Sequence, residues 1–428
     1  MTVKIYPSEL IGEVCAIPSK SELHRILICS AFSDGDTDIV VPGSAYSSVQ
    51  GVPDDIAATI SCLTALGATI QYAPNHFYVS PVTTSIDSPL LDCKESGSTF
   101  RFLLPVAAAV SLGPSFAGSG RLPERPIAEL LDSLQEHGVT CSDKHLPFSL
   151  CGALRGGVFS IPGDVSSQYL TGLLLALPLL HEDSEVVLRT ELHSAAYIDI
   201  TIQVMQRFGI EIQCNSGRYS IKRGQRYRSP GSITVGGDWS NAAAFLVAGA
   251  VGKNNRISVS NLDLDSLQGD RSIISILRSF GAHVTAERSY VTVTSSPTNA
   301  TRIDIDPIPD IMPDLAILAA NSTGETAFYN AQRLRLKESD RILSVENMLN
   351  NVGGHSFSDK TTLAVYGNGK LSGGTVDSQN DHRIVMAATI ASCLSSSPIL
   401  IQGAEAIQKS FPTFFDDLAA LGGKFDVI

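Results

Sequence analysis

The chain has 428 residues, 43% of them hydrophobic, and a formal net charge of −12. That length suits two or three domains with sizeable cores, and the acidic balance argues against long runs of nucleic-acid phosphate as a partner. No apolar run reaches the roughly 20 residues that a membrane span needs. The eight cysteines are scattered without a C-x-x-C pair, and the nine histidines lack metal-ligand spacing. There is also no G-x-G-x-x-G or P-loop, so neither a metal nor a nucleotide cofactor is indicated. With no signal peptide or transit segment ahead of MTVKIYPSELIG, a reducing, cytoplasmic location is expected.

In chain order, the first strong element is PSKSELHRILICSAF from Pro18, a short polar turn leading into an almost uniformly apolar helix. It is followed by LTALG ending at Gly67, where a glycine just past an apolar helical run suits a left-handed C-cap. GATI then reads as a strand. The same pair of landmarks returns five times. ESGSTFRFLLPVAAAV from Glu95 precedes LQEHG at Gly138, GDVSSQYLTGLLLAL from Gly163 precedes MQRFG at Gly209, and GDWSNAAAFLVAGAV from Gly237 precedes LRSFG at Gly281. PDIMPDLAILAA from Pro309 precedes MLNNVG at Gly353, and NDHRIVMAATIASCL from Asn380 precedes LAALG at Gly422. The gaps between the six glycines are 71, 71, 72, 72 and 69 residues, which marks an internal repeat. GVTC, GIEI, GAHV and GKFDV follow their glycines as further strands.

The fold class is therefore α/β, built from six βα repeat units. A helix that is apolar on most faces belongs inside protein, so six buried helices surrounded by sheets are expected. Six units divide into three and three, with a break at Arg228-Ser229-Pro230-Gly231 and a second crossing at Pro18. The period is longer than that of ordinary solenoid and propeller repeats, which argues against a simple scaffold array.

Each helix start carries unpaired N–H groups and about half a positive charge, a natural anion site. Ser, Asp and Asn at these starts also fit ordinary N-caps. Capping leaves unexplained the basic residues that follow the turns: Lys20, Arg25, Arg101 and Arg383.

PSKSELHR at 18–25, ESGSTFR at 95–101, GRLPERPI at 120–127, DVSSQYLT at 164–171, SAAYIDIT at 194–201, IPD at 308–310, RLKESDR at 335–341 and NDHR at 380–383 occur in one order. In that order, over nearly the whole chain, the sequence resembles the bacterial EPSP synthases, the 3-phosphoshikimate 1-carboxyvinyltransferases. The resemblance implies a two-domain enolpyruvyl transferase fold with three repeats per domain. Residues 19–231 would form the N-terminal lobe on the shikimate-phosphate side. Residues 1–18 and 232–428 would form the C-terminal lobe, with the general base and the phosphoenolpyruvate side. The implied reaction moves the enolpyruvyl group of phosphoenolpyruvate onto the 5-hydroxyl of shikimate 3-phosphate in the cleft between the lobes and releases phosphate. It implies a monomer with small anionic substrates, and no cofactor, metal, nucleic acid or membrane.

Binding two small anions together demands several cations in little space, and arginine pairs bidentately with carboxylate or phosphate. By resemblance, Lys20, Gly97, Arg121, Gln168, Arg341, Arg383 and Lys409 hold phosphoenolpyruvate. Glycine at 97 lets backbone approach a ligand closely. Shikimate 3-phosphate falls to Lys20, Ser21, Arg25, Ser166, Ser167, Gln168, Ser194, Asp310 and Lys337. Arg125, followed by Pro126, reads as a brace for the loop of Arg121. Addition to phosphoenolpyruvate needs a base and an acid. Asp310 matches the family's proton acceptor, while Glu338 and Lys20 both qualify to deliver a proton to the methylene carbon. Asp314, one helical turn after Asp310, reads as structural.

Three departures stand out. Pro18-Ser19-Lys20 lacks the glycine of the family's P-G-S-K, Arg333 stands where many members carry an asparagine, and Phe102 replaces the usual proline after Arg101. Arg333 either contacts substrate or pairs with an acid. A sister enzyme acting on UDP-N-acetylglucosamine would carry a cysteine, or in some members an aspartate, in the loop equivalent to 115–126, and SFAGSGRLPERP has neither. A partner-binding repeat protein without catalysis would have no reason to keep Lys20, Asp310, Lys337 and Arg383 together.

Overall fold

A computed structural model describes every residue of the chain except 44, 45 and 47. Among the described residues the six apolar runs form the buried helices α1 (Lys20–Ala31), α2 (Gly97–Val110), α3 (Ser167–Ala176), α4 (Trp239–Ala250), α5 (Met312–Asn321) and α6 (His382–Ala391). In α4 all 12 residues are buried, as a helix without a polar face requires. Five starts are capped: Ser19, Ser96, Ser166, Asp238 and Asp381 accept from backbone N–H groups of the first turn. Helix α5 has no side-chain cap at Ile311 and carries proline in its first turn instead.

Six further helices end at the glycine landmarks: Asp54–Ala65, Ala128–Glu136, Ala196–Arg207, Ile273–Ser279, Arg341–Asn351 and Phe414–Ala420. Gly67, Gly138, Gly209, Gly281, Gly353 and Gly422 have φ of 107°, 95°, 78°, 93°, 83° and 94°, the left-handed region that glycine enters freely. Four of the five strands expected after these glycines form, at Thr69–Ala73, Val139–Cys141, His283–Glu287 and Lys424–Val427. GIEI does not. The strand there starts only at Gln213, because the Ile210 amide closes the preceding helix on the Met205 carbonyl and the Glu211 amide donates to the Gln225 side chain.

The described strands form six four-stranded sheets of one design. A leading strand pairs in parallel with the strand after the buried helix, and two antiparallel strands are added, as a hairpin in five sheets and from the two chain ends in the sixth. In the third repeat, Val158–Ile161 pairs in parallel with Ser184–Leu188, which pairs with Arg218–Ile221 and through it Gln213–Asn215. A buried crossover helix is the normal route between parallel neighbours.

The chain divides into two compact units: Ser19–Pro42 with Tyr46–Val235, and Met1–Pro18 with Gly236–Ile428 and the short stretch at Gly43. In the first unit, the leading strand of the first repeat comes from Ser232–Thr234, paired with Asp38–Val40. In the second, the chain start supplies two strands. Ile11–Cys15 pairs in parallel with Arg256–Ser260, and Thr2–Tyr6 lies between Ile399–Gln402 and Lys424–Val427.

Candidate active site

In the unit of α1, α2 and α3, polar side chains gather at the helix starts. Lys20 opens α1, and its ammonium lies 2.8 Å from Asp55 Oδ2 on the neighbouring helix. One turn on, Arg25 is 2% exposed. Its Nε donates to Thr201 Oγ1 at 2.8 Å, Nη1 to the Ser21 carbonyl at 2.5 Å, and Nη2 to the Tyr197 carbonyl at 3.0 Å. The Phe102 ring lies 4.8 Å from the guanidinium carbon, so the residue that departs from the family's proline supplies a cation–π face. Burial draws the Arg25 pKa down to about 10, against the favourable influence of Tyr197, Cys29 and Glu22. Burial, helped by the Lys20 and Arg25 charges, holds His24 neutral, with its pKa well below the ordinary histidine value.

Gln168 links α3 to α2, with Oε1 accepting from Arg101 Nη1 at 3.0 Å and Nε2 donating to Ser98 Oγ at 3.1 Å. Helix α3 can come this close because a Cβ at Gly172 would strike the Arg101 carbonyl. Ser166 is the N-cap of α3, accepting from the Gln168 amide at 3.3 Å, and Ser167 is buried behind it. Ser194 is buried at a φ of 54°. Arg121 stands on an exposed turn, 3.8 Å from Glu124.

Gly97, expected to let backbone approach phosphoenolpyruvate, has two guanidinium groups close to it. A Cβ there would lie 2.6 Å from Arg125 Nη1 and 2.9 Å from Arg101 Nη1. Two guanidinium groups thus stand against the first turn of α2. In the sequence Arg101 stands out only as a basic residue after a turn, and Arg125 only as a loop brace.

In the unit of α4, α5 and α6 the charges are denser. Arg341 is 2% exposed and holds three acids. Nη1 reaches Asp310 Oδ1 at 2.7 Å, Nη2 reaches Glu338 Oε2 at 2.6 Å, and Nε reaches Asp381 Oδ2 at 2.8 Å. Lys337 Nζ stands 3.1 Å from the same oxygen of Asp310. Burial alone would raise the Asp310 pKa, but Lys337, Arg341 and Arg383 overcome it and hold the carboxyl well below the ordinary value. Lys337 is lowered, by burial first and by Arg341 and Arg333, against the pull of Asp310 and Glu338.

Asp381 joins the sites of α6 and Arg341. Its Oδ2 takes Arg341 and Ser339, and its Oδ1 caps α6 through the Arg383 amide at 2.9 Å. Arg383 donates Nη1 to the Ser240 carbonyl at 2.7 Å and Nη2 to Ser240 Oγ. Lys409 Nζ donates to the Asn380 carbonyl at 2.6 Å, at the turn before α6. Arg333 pairs with an acid, Asp306, at 3.2 Å.

The second unit thus brings together Asp310, Lys337, Glu338 and Arg341, with Asp381 as an organiser that the motif NDHR contained without revealing. Asp270 and Asp314 are also buried here, with pKa values pushed up to about 8 and about 7. Neither oxygen of Asp314, which the sequence reads as structural, meets a donor among the described residues. Asp270 carries no sequence signal, since a single aspartate in SLQGD sets no pattern. No group of three or more His, Cys, Asp or Glu that could hold a metal occurs among the described residues, and no described helix is long and apolar enough to cross a membrane.

Residues 5–418 match the family model described as EPSP synthase (3-phosphoshikimate 1-carboxyvinyltransferase). A 3-phosphoshikimate 1-carboxyvinyltransferase of Clostridium novyi is 37% identical over 438 residues, covering 99% of this chain and 98% of that protein. One of Clostridium kluyveri is 39% identical over 428 residues, with the same coverages. Among solved structures, an EPSP synthase from Acinetobacter baumannii superposes with a TM-score of 0.82 at 23% identity over 100% of both chains. The enolpyruvyl transferase NikO from Streptomyces tendae gives 0.78 at 17% identity, covering 99% of this chain and 98% of that one. These two likenesses bear on the fold alone.

Proposed function

The chain belongs to the EPSP synthase (3-phosphoshikimate 1-carboxyvinyltransferase) family, and from that premise we propose how its residues divide the work. The enzyme transfers the enolpyruvyl group of phosphoenolpyruvate to shikimate 3-phosphate in the shikimate pathway. In the addition step the acceptor's 5-oxygen bonds to C2 of phosphoenolpyruvate, losing its proton, while C3 gains one to become a methyl. In the elimination step the C2–O bond to phosphate breaks, C3 gives up a proton, and the double bond returns.

In our reading Asp310 takes the hydroxyl proton and Glu338 delivers the proton to C3, with Lys20 the competing donor. Arg341, Arg383 and Lys409 from one unit, and Lys20, Gly97, Arg121 and Gln168 from the other, hold phosphoenolpyruvate. Lys20, Ser21, Arg25, Ser166, Ser167, Gln168 and Ser194, with Asp310 and Lys337, hold shikimate 3-phosphate. The carrying observation is that a single guanidinium, Arg341, contacts both Asp310 and Glu338. A base and an acid that share one cation can be tuned against each other when an anion arrives. An anion that draws Arg341 and Lys337 toward itself loosens their hold on Asp310 and makes it a stronger base. Two lobes close to the boundaries expected from the sequence, except that residues 232–235 go with the first unit because Ser232–Thr234 pairs with Asp38–Val40, together with a monomeric state and a cytoplasmic location, complete the proposal.

The test incubates the protein with phosphoenolpyruvate and either shikimate 3-phosphate or UDP-N-acetylglucosamine, then measures phosphate. Release should require shikimate 3-phosphate and should survive exhaustive chelation, because lysine and arginine supply the positive charge. Release with the sugar nucleotide alone, or loss with EDTA and rescue by a divalent metal, overturns the respective part.

A further inference from the structure

Around Asp310, the described side chains linked by ion pairs or electrostatic influence include the acids Asp238, Asp270, Asp310, Asp314, Glu338 and Asp381 and the cations Lys337, Arg341, Arg383 and Arg333, with Lys409 at the turn before α6. Ionised, Asp270 and Asp314 would each add a negative charge beside Arg383, a cation proposed to bind phosphoenolpyruvate. Each such charge opposes the binding of an anion.

Asp270 and Asp314 differ from the other four acids. Asp314, in the first turn of α5, is 0% exposed, and no donor among the described residues reaches either of its oxygens. Asp270, in the turn Gly269–Ser272, is 5% exposed, and its Oδ1 is equally without a donor. Arg383, the cation that both acids face, spends its two Nη groups on Ser240, and its Nε has no acceptor among the described residues. A buried ionised carboxylate with no hydrogen bond is costly, and a nearby guanidinium would normally be drawn onto it. A neutral acid makes no such demand.

We propose that Asp270 and Asp314 stand in this unit as neutral carboxylic acids, and that their two protons are what let an acid-rich core accept phosphoenolpyruvate. They are positioning residues: they touch neither substrate nor reacting atoms, and they set the charge that the binding cations present. With both protonated, two negative charges are taken away from the neighbourhood of Arg383. The charged groups facing Asp314 are Arg383 and Arg341; those facing Asp270 are Asp310, Asp238, Arg383 and Lys337. His382, 3.9 Å from Asp381, is the other titratable group at this end of α6. Burial is the main cause of both raised values, so proton loss is expected as pH climbs from near neutrality to above about 8. The affinity half of this proposal rests on the assignment of phosphoenolpyruvate to Arg341, Arg383 and Lys409; the protonation half does not.

Infrared difference spectra of the unliganded parent protein across a pH series test the protonation without any substitution. A protonated-acid carbonyl band should be present near pH 6, give way to carboxylate bands by about pH 9.5, and shrink in Asp314→Asn and in Asp270→Asn. Calorimetry of phosphoenolpyruvate binding over the same range tests the consequence. Parent affinity should fall about tenfold or more for each acid ionised, relative to the double Asn variant, whose amides cannot ionise. Carboxylate bands alone near pH 6 overturn the proposal, and so does an equal alkaline loss of affinity in parent and double variant. An acid band with no phosphoenolpyruvate binding at any pH instead overturns the assignment of that substrate to these cations.

Discussion

Arg341 Nη1 stands 2.7 Å from Asp310 Oδ1, on the same oxygen that Lys337 approaches at 3.1 Å. Two cations on one oxygen make Asp310 a poor base in the unliganded protein, with its pKa well below the ordinary carboxylate value despite burial. In the proposed role as base, its basicity comes from a substrate anion that draws these cations away. Asp310→Asn keeps shape and reach but removes the base, so turnover should fall by about 10²–10⁴-fold while shikimate 3-phosphate still binds. Single-turnover phosphate release and calorimetry read the two effects separately; parental turnover would remove Asp310 from the mechanism.

Glu338 and Lys20 can be separated by following solvent deuterium into C3 of the substrate. Glu338→Gln should suppress this incorporation, and Lys20→Met should mainly weaken binding by removing a charge now paired with Asp55. The reverse pattern would hand proton delivery to Lys20.

Removing Arg341 leaves Asp381, 0% exposed, without its charged partner. Breaking a buried pair from one side typically costs about 3–5 kcal/mol, so Arg341→Ala should lower the urea midpoint clearly. Arg341→Lys should recover only part of the loss, since an ammonium cannot span Asp310, Glu338 and Asp381 as the planar fork does. An unchanged midpoint in Arg341→Ala would show that the cluster adds nothing to stability.

Gly97→Ala places a methyl 2.6 Å from Arg125 Nη1 and 2.9 Å from Arg101 Nη1. The tips of flexible side chains can retreat, so the fold should lose little stability, whereas the KM for phosphoenolpyruvate should rise several-fold as both guanidiniums shift. A large drop in thermal midpoint with normal KM would contradict this.

Asp314 should also mark the pH dependence of folding. Its folded pKa of about 7 lies above the ordinary 3.8, so between these values the unfolded chain loses a proton that the folded one keeps. Parent stability therefore falls as pH rises through that window. Asp314→Asn lacks this penalty, and its unfolding free energy relative to parent should climb from about pH 4 and level off above about pH 7, by an amount on the order of 4 kcal/mol. A difference independent of pH would show that Asp314 titrates normally.

What could be read from the sequence was local. Gly67 and its five counterparts announced left-handed caps because only glycine enters that backbone region without strain. The apolar runs announced buried helices because a helix without a polar face has nowhere else to go. The motif RLKESDR already contained Lys337, Glu338 and Arg341, brought together by helical and turn spacing. Tertiary structure decided what depends on residues far apart in the chain. Nothing near Ser232–Thr234 says that it pairs with Asp38–Val40, since parallel partners are chosen by the closing of the whole unit. Likewise Asp270 gains meaning only from facing Asp310 and Arg383, and Gly97 only from the guanidiniums of Arg101 and Arg125. Charge acts through space, and the distances that give it force exist only once the chain has folded.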